Sequence, residues 1–254
     1  MWRGDSLFLL ENLILKDFRI RYRNMSLGIL WSLLNPLVMM GVMTFIFSTF
    51  FNNPTIKNFP VFVLCGLVPF NFFTIAWVTG TTSVIDSCNM VKRVPIPREV
   101  VPVAAVLSSC LHLGIQILLL LSAVLIFGLG ANIQWLWLPL LWLFEVVFVC
   151  GLALVTSAIN VYIRDMRYVV ESVNTVMFWL VPICYPFAMI PEKYKPIYEI
   201  NPIASLVNAL RYVLLEAKAP PTSTLIRLPA VSLFMLAVGL VVFRRMKHSF
   251  YEHI

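Results

Sequence analysis

Between two long apolar runs, Phe59–Ile85 and Pro102–Leu129, lies the segment Asn89-Met-Val-Lys-Arg-Val-Pro-Ile-Pro-Arg-Glu-Val-Val-Pro102. It sets three cations around two prolines. Proline fixes φ and biases the residue before it toward extended geometry, so we expect a short and stiff connection. Basic residues beside membrane spans mark the cytosolic side. The segment therefore predicts a defined basic projection on the cytosolic face of a membrane protein, a shape that suits docking of a partner.

The composition of the 254-residue chain is that of a polytopic helical membrane protein. Hydrophobic residues make up 60% and charged residues only 12%, about half the roughly 25% of soluble domains. Runs of about 20 apolar residues recur, whereas the alternating segments of a transmembrane barrel are absent from the sequence. The net charge of +7 lies mostly in loops beside these runs, which indicates membrane topology and argues against a nucleic-acid partner.

We predict an all-α polytopic membrane protein with six transmembrane helices in one transmembrane domain covering residues 1–254. The predicted spans are Ile29–Phe51, Phe59–Ile85, Pro102–Leu129, Trp135–Ile163, Val169–Tyr185 and Leu225–Phe243. Pro182 and Pro186 interrupt the outer end of the fifth span.

Basic residues are distributed unevenly between the two sides of these spans. One side holds thirteen of the nineteen lysines and arginines. They are Arg3, Lys16, Arg19, Arg21, Arg23, Lys92, Arg93, Arg98, Arg164, Arg167, Arg244, Arg245 and Lys247. The positive-inside rule makes this the cytosolic side, so we expect both termini in the cytosol.

The first 24 residues predict an amphipathic helix in the membrane interface. Polar and basic residues recur at helical spacing on one face, and apolar residues cluster on the other. This pattern is typical of a helix with its basic face toward water or anionic lipid. Two roles stay open for it, a simple topological anchor and a lever or partner contact.

The stretch Tyr185–Thr224, between the fifth and sixth predicted spans, cannot cross a membrane. Three prolines interrupt its first part, and its second apolar part has too few residues. Asn201-Pro202 has the pattern of an N-cap followed by proline at the first helical position. We expect short re-entrant or interfacial helices on the outer face, beside protein or a water-filled cavity.

Motifs of catalysis are missing from the sequence. It contains no GxxxxGK[ST] phosphate loop, no HExxH and no GxSxG. The five cysteines are scattered without metal or redox spacing, and His112 stands alone in the third span, as a helix-packing hydrogen bonder would. We predict no catalytic residue, no metal site and no cofactor bound by this chain.

Glu145 is an acid near the middle of the fourth span, where an unpaired charge is costly. Structural pairing or contact with water is one interpretation, and a role on a substrate path is the other. The aromatic residues of the second and fifth spans also have two interpretations. They either pack against helices and lipid or line a channel.

Several motifs, taken in order, resemble one known family over about residues 7–247. They are Lys16-Asp-Phe-Arg-Ile-Arg-Tyr-Arg23, Leu27-Gly-Ile-Leu-Trp-Ser-Leu-Leu-Asn-Pro36, Val91-Lys-Arg-Val-Pro-Ile-Pro-Arg-Glu99, Asn160-Val-Tyr-Ile-Arg-Asp-Met-Arg167, Pro182-Ile-Cys-Tyr-Pro186, Asn201-Pro202 and Arg211. Together they resemble the permease subunit of type-2 ABC exporters, in the branch that exports polysaccharides, O-antigen and teichoic acid.

The resemblance implies a homodimer that works with two copies of a separate phosphate-loop ATPase, which binds ATP and Mg²⁺. The cargo would be a lipid-linked polysaccharide, and the location the bacterial plasma (inner) membrane among its lipids. The implied ATPase contacts lie in the N-terminal helix and a coupling element at residues 87–98: Lys16, Arg19, Arg23, Met90, Lys92, Arg93, Pro97 and Arg98. The implied conduit residues are Trp31, Phe70, Phe73, Trp77, Phe178, Trp179 and Tyr185. The implied outer gate helices occupy residues 191–214, with Pro191, Asn201, Pro202 and Arg211.

Two other functions stay open on the residues alone. A permease of the same class for drugs or small lipids would have a similar aromatic conduit. A membrane-embedded lipid transferase would need polar groups that converge at the interface, and the acids near the cytosolic span ends do not cluster in the sequence.

Overall fold

The computed structural model describes residues 10–17, 30–49, 56, 58–88, 97–247 and 250, and within these ranges every regular element is a helix. The longer helices are α1 (10–17), α2 (Leu30–Thr49), α3 (Phe59–Asp86), α4 (Val100–Ile126), α5 (Leu138–Tyr162), α6 (Met166–Leu180), α7 (Lys195–Ile200), α8 (Pro202–Leu214) and α9 (Thr222–Met246). Short 3₁₀ helices occupy Ile133–Trp137 and Phe187–Met189.

Among the described residues, five helical stretches are long and apolar enough to cross a membrane: α2, α3, α4, α5 with the 3₁₀ helix before it, and α9. A span needs about 20 predominantly apolar residues, and each of these stretches is at least 20 residues long. The chain is therefore an all-helical, multi-pass membrane protein, and the predicted fold class is confirmed.

The fifth predicted span, Val169–Tyr185, is a shorter helix than expected. Helix α6 has 15 residues, which at 1.5 Å per residue reach about 22 Å, less than the roughly 30 Å of a bilayer core. It ends at Leu180 because Val181 precedes a proline and is extended, with φ −74° and ψ 133°. Residues 181–186 continue without a helix, and the count of six spans stays a prediction.

Helix α3 forms the centre of the described structure, in contact with α2, α4, α5, α6 and α8. Buried polar groups join it to α5. The hydroxyls of Thr81 and Thr156 lie 2.6 Å apart, Trp77 Nε1 donates to Thr156 Oγ1 at 3.3 Å, and Asn160 Nδ2 donates to the Thr81 carbonyl at 3.1 Å. Such bonds between helices orient helices that have no hydrophobic drive to associate inside a membrane.

Helices α5 and α9 cross in backbone contact at two glycines. A Cβ on Gly151 would lie 2.5 Å from the Met235 carbonyl carbon, and one on Gly239 would lie 2.4 Å from the Gly151 carbonyl oxygen. Small residues permit this close approach, as is common between membrane helices. The crossing couples the positions of α5 and α9.

Helix α8 lies inside the protein and packs against α3, α5 and α9. Its N-cap prediction is confirmed: Asn201 Oδ1 accepts the backbone N–H of Ile203 at 3.0 Å and that of Ala204 at 3.4 Å, and Pro202 takes the first helical position. Residues Ile203–Val207 and Ala209–Arg211 are all buried. The short helix between the last two predicted spans is thus a core element.

Candidate coupling, conduit and gate sites

Helix α1 and the beginning of α4, which carry predicted ATPase contacts, lie side by side. Leu13 of α1 is buried, and Lys16 shares the lining of a cavity of about 460 Å³ with Asp86 and Val101, at the end of α3 and the start of α4. Lys16 and Pro97 are exposed, and Arg98 is half-buried. The remaining predicted contacts, Arg19, Arg23, Met90, Lys92 and Arg93, lie outside the described residues.

An ionic cluster joins the start of α4 to the end of α9. Lys247 Nζ donates to Glu99 Oε1 at 2.7 Å, and Arg244 Nε lies 3.8 Å from the same oxygen. Arg98 Nη1 donates to the Lys247 carbonyl at 2.7 Å. The last carbonyls of a helix have no partner within it, and Arg98 caps α9 by donating to one of them. Glu99 binds the basic side chains at the same end of α9.

Aromatic residues and a second cap extend this cluster to α5. The hydroxyl of Tyr162, at the end of α5, donates to the Met246 carbonyl at 2.7 Å. Phe250 is fully buried, with its ring centroid 5.4 Å from that of Phe243 and 6.0 Å from that of Tyr162. The Arg98 guanidinium lies 6.0 Å from the same Phe250 ring, within reach of a cation–π contact. The end of the predicted coupling element thus contacts the end of α9 directly, and Phe250 lies between it and Tyr162 of α5.

The Glu99 carboxyl group is held in its charged form by this cluster. Burial alone would raise its pKa, but the hydrogen bond from Lys247, its own backbone N–H and the charges of Lys247 and Arg244 outweigh burial and lower the pKa below its ordinary value. Glu99 is therefore an anion at neutral pH, which is the form that holds the end of α9.

On the opposite side of the protein, Arg211 is buried and binds backbone carbonyls. Only 5% of the surface of Arg211 is exposed. Nη2 donates to the Ile183 carbonyl at 2.7 Å and the Phe62 carbonyl at 3.4 Å, and Nη1 donates to the Tyr185 carbonyl at 3.4 Å. The guanidinium carbon lies 3.5 Å from the Phe62 ring centroid. Within the described ranges no carboxylate forms an ion pair with Arg211.

These contacts explain how the chain can leave the helix after Leu180 inside the protein. A non-helical backbone exposes carbonyls that need partners at membrane depth, and Arg211 supplies donors for two of them. Three of the predicted gate residues, Asn201, Pro202 and Arg211, lie at the start and near the end of α8. Pro191 lies apart from them, exposed in the turn before α7.

The predicted conduit residues line two cavities on opposite faces of α6. Phe73 and Trp77 belong to an apolar cavity of about 460 Å³, together with residues such as Val173 and Met177. Phe70, Phe178 and Trp179 belong to a second cavity of about 340 Å³, here called the mixed groove. Its other lining residues are Met39, Thr74, Val78, Glu171, Asn174 and Thr175.

Trp31 and Tyr185 line neither of these two cavities. Trp31 is 54% exposed on α2. The Tyr185 hydroxyl donates to the carbonyls of Trp179 at 3.1 Å and Leu180 at 3.2 Å, and so caps the end of α6. The structure therefore does not bring all the predicted conduit residues of one chain to a single surface.

Glu145 is buried in α5 at 1% exposure, and neither of its carboxyl oxygens has a hydrogen-bond partner among the described residues. His112 has the expected packing environment. Its Nε2 lies 3.1 Å from Gln116 Nε2, and that amide donates to the Ser32 carbonyl at 3.2 Å, which joins α4 to α2.

Sequence reasoning missed Asn174 and the Glu99–Lys247 pair. A polar residue within an apolar run is a signal that could have drawn attention to Asn174. The pair offers no such signal, because 148 residues separate its members.

The described residues combine several helices of membrane-spanning length with cavities between them, the architecture of a multi-pass membrane protein. The model of the ABC-2 type transporter membrane family matches residues 9–215, and the chain belongs to this family. The predicted resemblance is confirmed.

The chain is similar to three named proteins, two of them permeases by name, over nearly its whole length. It is 30% identical to the O-antigen export system permease protein RfbA of Klebsiella pneumoniae over 238 residues, which cover 93% of this chain and 91% of that protein. Identity to the RfbA protein of Myxococcus xanthus is 27%, over 97% and 95% of the two chains. Identity to the polysialic acid transport protein KpsM of Escherichia coli is 24%, over 92% of each chain.

Proposed function

We propose that this chain is the membrane-spanning subunit of an ATP-driven exporter that moves a lipid-linked polysaccharide out of the cytosol across the bacterial plasma membrane. The observation that carries the proposal is the similarity, over more than nine-tenths of the chain, to permeases named for O-antigen export and to a protein named for polysialic acid transport. Family membership defines the subunit as a permease, and the polymer class comes from these relatives.

A separate ATPase subunit is the proposed source of energy. The sequence has no phosphate loop, and the coupling element at residues 87–98 leads directly into the cluster at Arg98 and Glu99. A push on this element would reach α9 through Lys247 and α5 through the caps on Met246 and Lys247.

In this proposal, the movement of the coupling element is passed to the outer side through helices that contact one another in turn. Helices α5 and α9 touch at Gly151 and Gly239, and both contact α8. Helix α8 carries Arg211, which binds the carbonyls of Ile183 and Tyr185. Packed elements with two discrete arrangements can transmit such a movement. We propose that α8 and the segment it binds form the outer gate, with both chain termini in the cytosol.

A homodimer with the polymer between its protomers is the proposed assembly. Helices α2 and α9 bury few of their residues, with only 11% and 17% of their most apolar stretches buried in the single chain. Such surfaces face lipid or another subunit in a membrane.

Removal of the ATPase tests this function. The host's phosphate-loop ATPase partner is deleted, and its surface polymer is measured by antibody or lectin staining of intact cells. We expect the polymer to accumulate inside, as it should when this permease is deleted. Polymer that still reaches the surface without the ATPase contradicts the proposal.

Export of a drug or small lipid is the second candidate, and the lining of the apolar cavity favours it. That cavity is formed by residues such as Phe148, Leu152 and Met177, which offer few polar groups. Purified permease–ATPase complex distinguishes the two: lipid-linked polymer should stimulate ATP hydrolysis if the cargo is a polysaccharide, and hydrophobic drugs should do so if it is not.

A further inference from the structure

The cavity of about 460 Å³ between α1, the end of α3 and the start of α4 is here called the interface cavity. Helix α3 has the length and composition of a membrane span, and it ends at Asp86, which lines this cavity. The cavity therefore lies where a span meets the lipid headgroups. Thr79, another lining residue, is about 10 Å along the helix from Asp86. The cavity thus extends from the headgroup level toward the hydrocarbon core.

Hydroxyl groups on α3 and α4 give the interface cavity a wall that accepts hydrogen bonds. They belong to Thr79, Thr82, Ser83 and Ser108. Each donates its hydrogen to a backbone carbonyl of its own helix, at 2.7 Å for Thr79 and Ser83 and 2.8 Å for Ser108. A hydroxyl has one hydrogen and two acceptor lone pairs, so these oxygens can still accept but have no second hydrogen to donate. A ligand in this cavity must therefore supply the donors.

Charged side chains of both signs line the same cavity. Asp17 and Asp86 add carboxylate acceptors, and Lys16 adds an ammonium group. Lys16 and Asp86 are exposed, whereas Ser83 is buried, so these two charges lie nearer the opening than that hydroxyl. Within the described ranges Lys16 and Asp86 form no salt bridge with each other. Opposite charges that line one cavity without pairing suit a ligand that itself carries both charges.

We propose that the interface cavity binds the headgroup of an aminophospholipid from the surrounding bilayer, with its primary ammonium group among the carboxylates and hydroxyls and its phosphate near Lys16. A primary ammonium has three N–H donors, which match the acceptors of the wall, and its bonds to carboxylates are charge-assisted and therefore strong. The volume of about 460 Å³ lies within the range of ligand pockets, roughly 300–1,000 Å³.

The charges of the interface cavity distinguish this headgroup from the other common ones. An anionic headgroup without an ammonium would meet two carboxylates and only one lysine. A trimethylammonium headgroup has no N–H to donate to the wall. Bound in this cavity, the aminophospholipid would hold α1 against α3 and α4. The inference does not depend on which cargo the protein exports.

Lipid retention by the purified full chain tests the headgroup. The protein is reconstituted in nanodiscs with equal amounts of phosphatidylethanolamine, phosphatidylcholine and phosphatidylglycerol, and the lipids that stay bound are identified by native mass spectrometry. We expect about tenfold more bound phosphatidylethanolamine than phosphatidylcholine, the factor for one strong hydrogen bond. Equal retention of these two lipids, or preferred retention of phosphatidylglycerol, overturns the proposal.

Two substitutions separate the ammonium from the phosphate. Asp86→Asn should lower the ratio of bound phosphatidylethanolamine to phosphatidylcholine toward one, because a charged acceptor is lost. Lys16→Gln should reduce the retention of both lipids and leave their ratio unchanged, because both carry the phosphate. Asp165→Asn is the matched control: Asp165 is an exposed aspartate between α5 and α6 that does not line this cavity. A ratio that Asp86→Asn leaves at the wild-type value overturns the ammonium site.

A soluble headgroup tests whether the ligand is a lipid. Dihexanoyl phosphatidylethanolamine should raise the melting temperature of the full chain in detergent, and this rise should be absent in Asp86→Asn. O-phosphoethanolamine at the same concentration has the same charges but no acyl chains to lie along the spans, so we expect a much smaller rise. An equal rise with O-phosphoethanolamine overturns the lipid assignment in favour of a soluble amine.

Discussion

Arg98 caps the last transmembrane helix from a position 149 residues earlier in the chain: its Nη1 donates to the Lys247 carbonyl at 2.7 Å. The next residue, Glu99, accepts from the Lys247 ammonium group at the same distance. Two adjacent residues at the end of the coupling element thus hold both the backbone and the side chain of one residue at the end of α9. This double attachment makes the element a candidate lever on α9.

Loss of the Glu99 charge should uncouple ATP hydrolysis from export. Glu99→Gln keeps the shape but removes the anion that binds Lys247, so we expect the unfolding free energy to fall by roughly 1 kcal/mol. ATP hydrolysis by the assembled complex should persist while export per ATP decreases, as measured in proteoliposomes. Lys218→Met is the matched control, because it breaks a more exposed ion pair with Glu216 and should change neither quantity. Full coupling in Glu99→Gln would show that the cluster only anchors α9.

The same carboxylate predicts a pH dependence of stability. Its pKa is lower in the folded protein than its ordinary value, so the folded state gains stability from the charged form above that ordinary value, about 4.3. This gain is lost as the pH falls from there through the lower folded pKa. Melting temperatures of the wild type and Glu99→Gln should therefore differ at pH 6 and converge toward pH 3. A difference that stays constant with pH contradicts this assignment.

Arg211 should be a large contributor to the stability of the outer side. Arg211→Met removes the donors for the carbonyls of Ile183, Tyr185 and Phe62, and we expect a loss of about 2 to 3 kcal/mol in unfolding free energy. Arg227→Met is the control: Arg227 is a partly exposed arginine paired with Glu199, and its loss should cost less than about 1 kcal/mol. Chemical denaturation in detergent measures both variants, and equal losses would contradict the central role of Arg211.

A glycine-to-alanine substitution should have opposite effects on stability at the α5–α9 crossing and at an open position on α4. Gly151→Ala places a Cβ 2.5 Å from backbone atoms of α9, so the helices must separate and we expect a loss of several kcal/mol, about the range of overpacked cores. Gly114→Ala on α4 meets nothing within 4 Å and should raise stability by up to about 1 kcal/mol through helix propensity. Thermal unfolding of the two variants compares them directly. A tolerated Gly151→Ala would show that α5 and α9 can move apart freely.

Local features were predictable from the sequence, and the structure agrees with them. The apolar runs of α2, α3, α4, α5 and α9 coincide with helices of spanning length, because the transfer of a contiguous segment into lipid depends on its own residues. The Asn201-Pro202 helix start was likewise predictable, because an N-cap bonds only to the next few residues.

The fifth span and the conduit were less predictable. Pro182 signals that a helix will end near it, but the sequence does not show that the chain would continue as irregular backbone bound by Arg211. Likewise, the sequence does not show whether an aromatic ring such as that of Phe73 or Phe178 faces lipid, a helix or a cavity. Its direction depends on how α3 and α6 are rotated about their axes.

The sequence by itself determined the class of protein, the places where helices begin and cross a membrane, and the absence of a phosphate loop from the printed chain. Only the tertiary structure decided that Arg98 meets Lys247, that Gly151 meets Gly239, and that Asn174 lies in a groove without a partner among the described residues. The physical reason is the distance along the chain between the residues that interact. Membrane insertion and capping depend on neighbours along the chain, whereas these contacts arise from the packing and rotation of helices that are far apart in sequence.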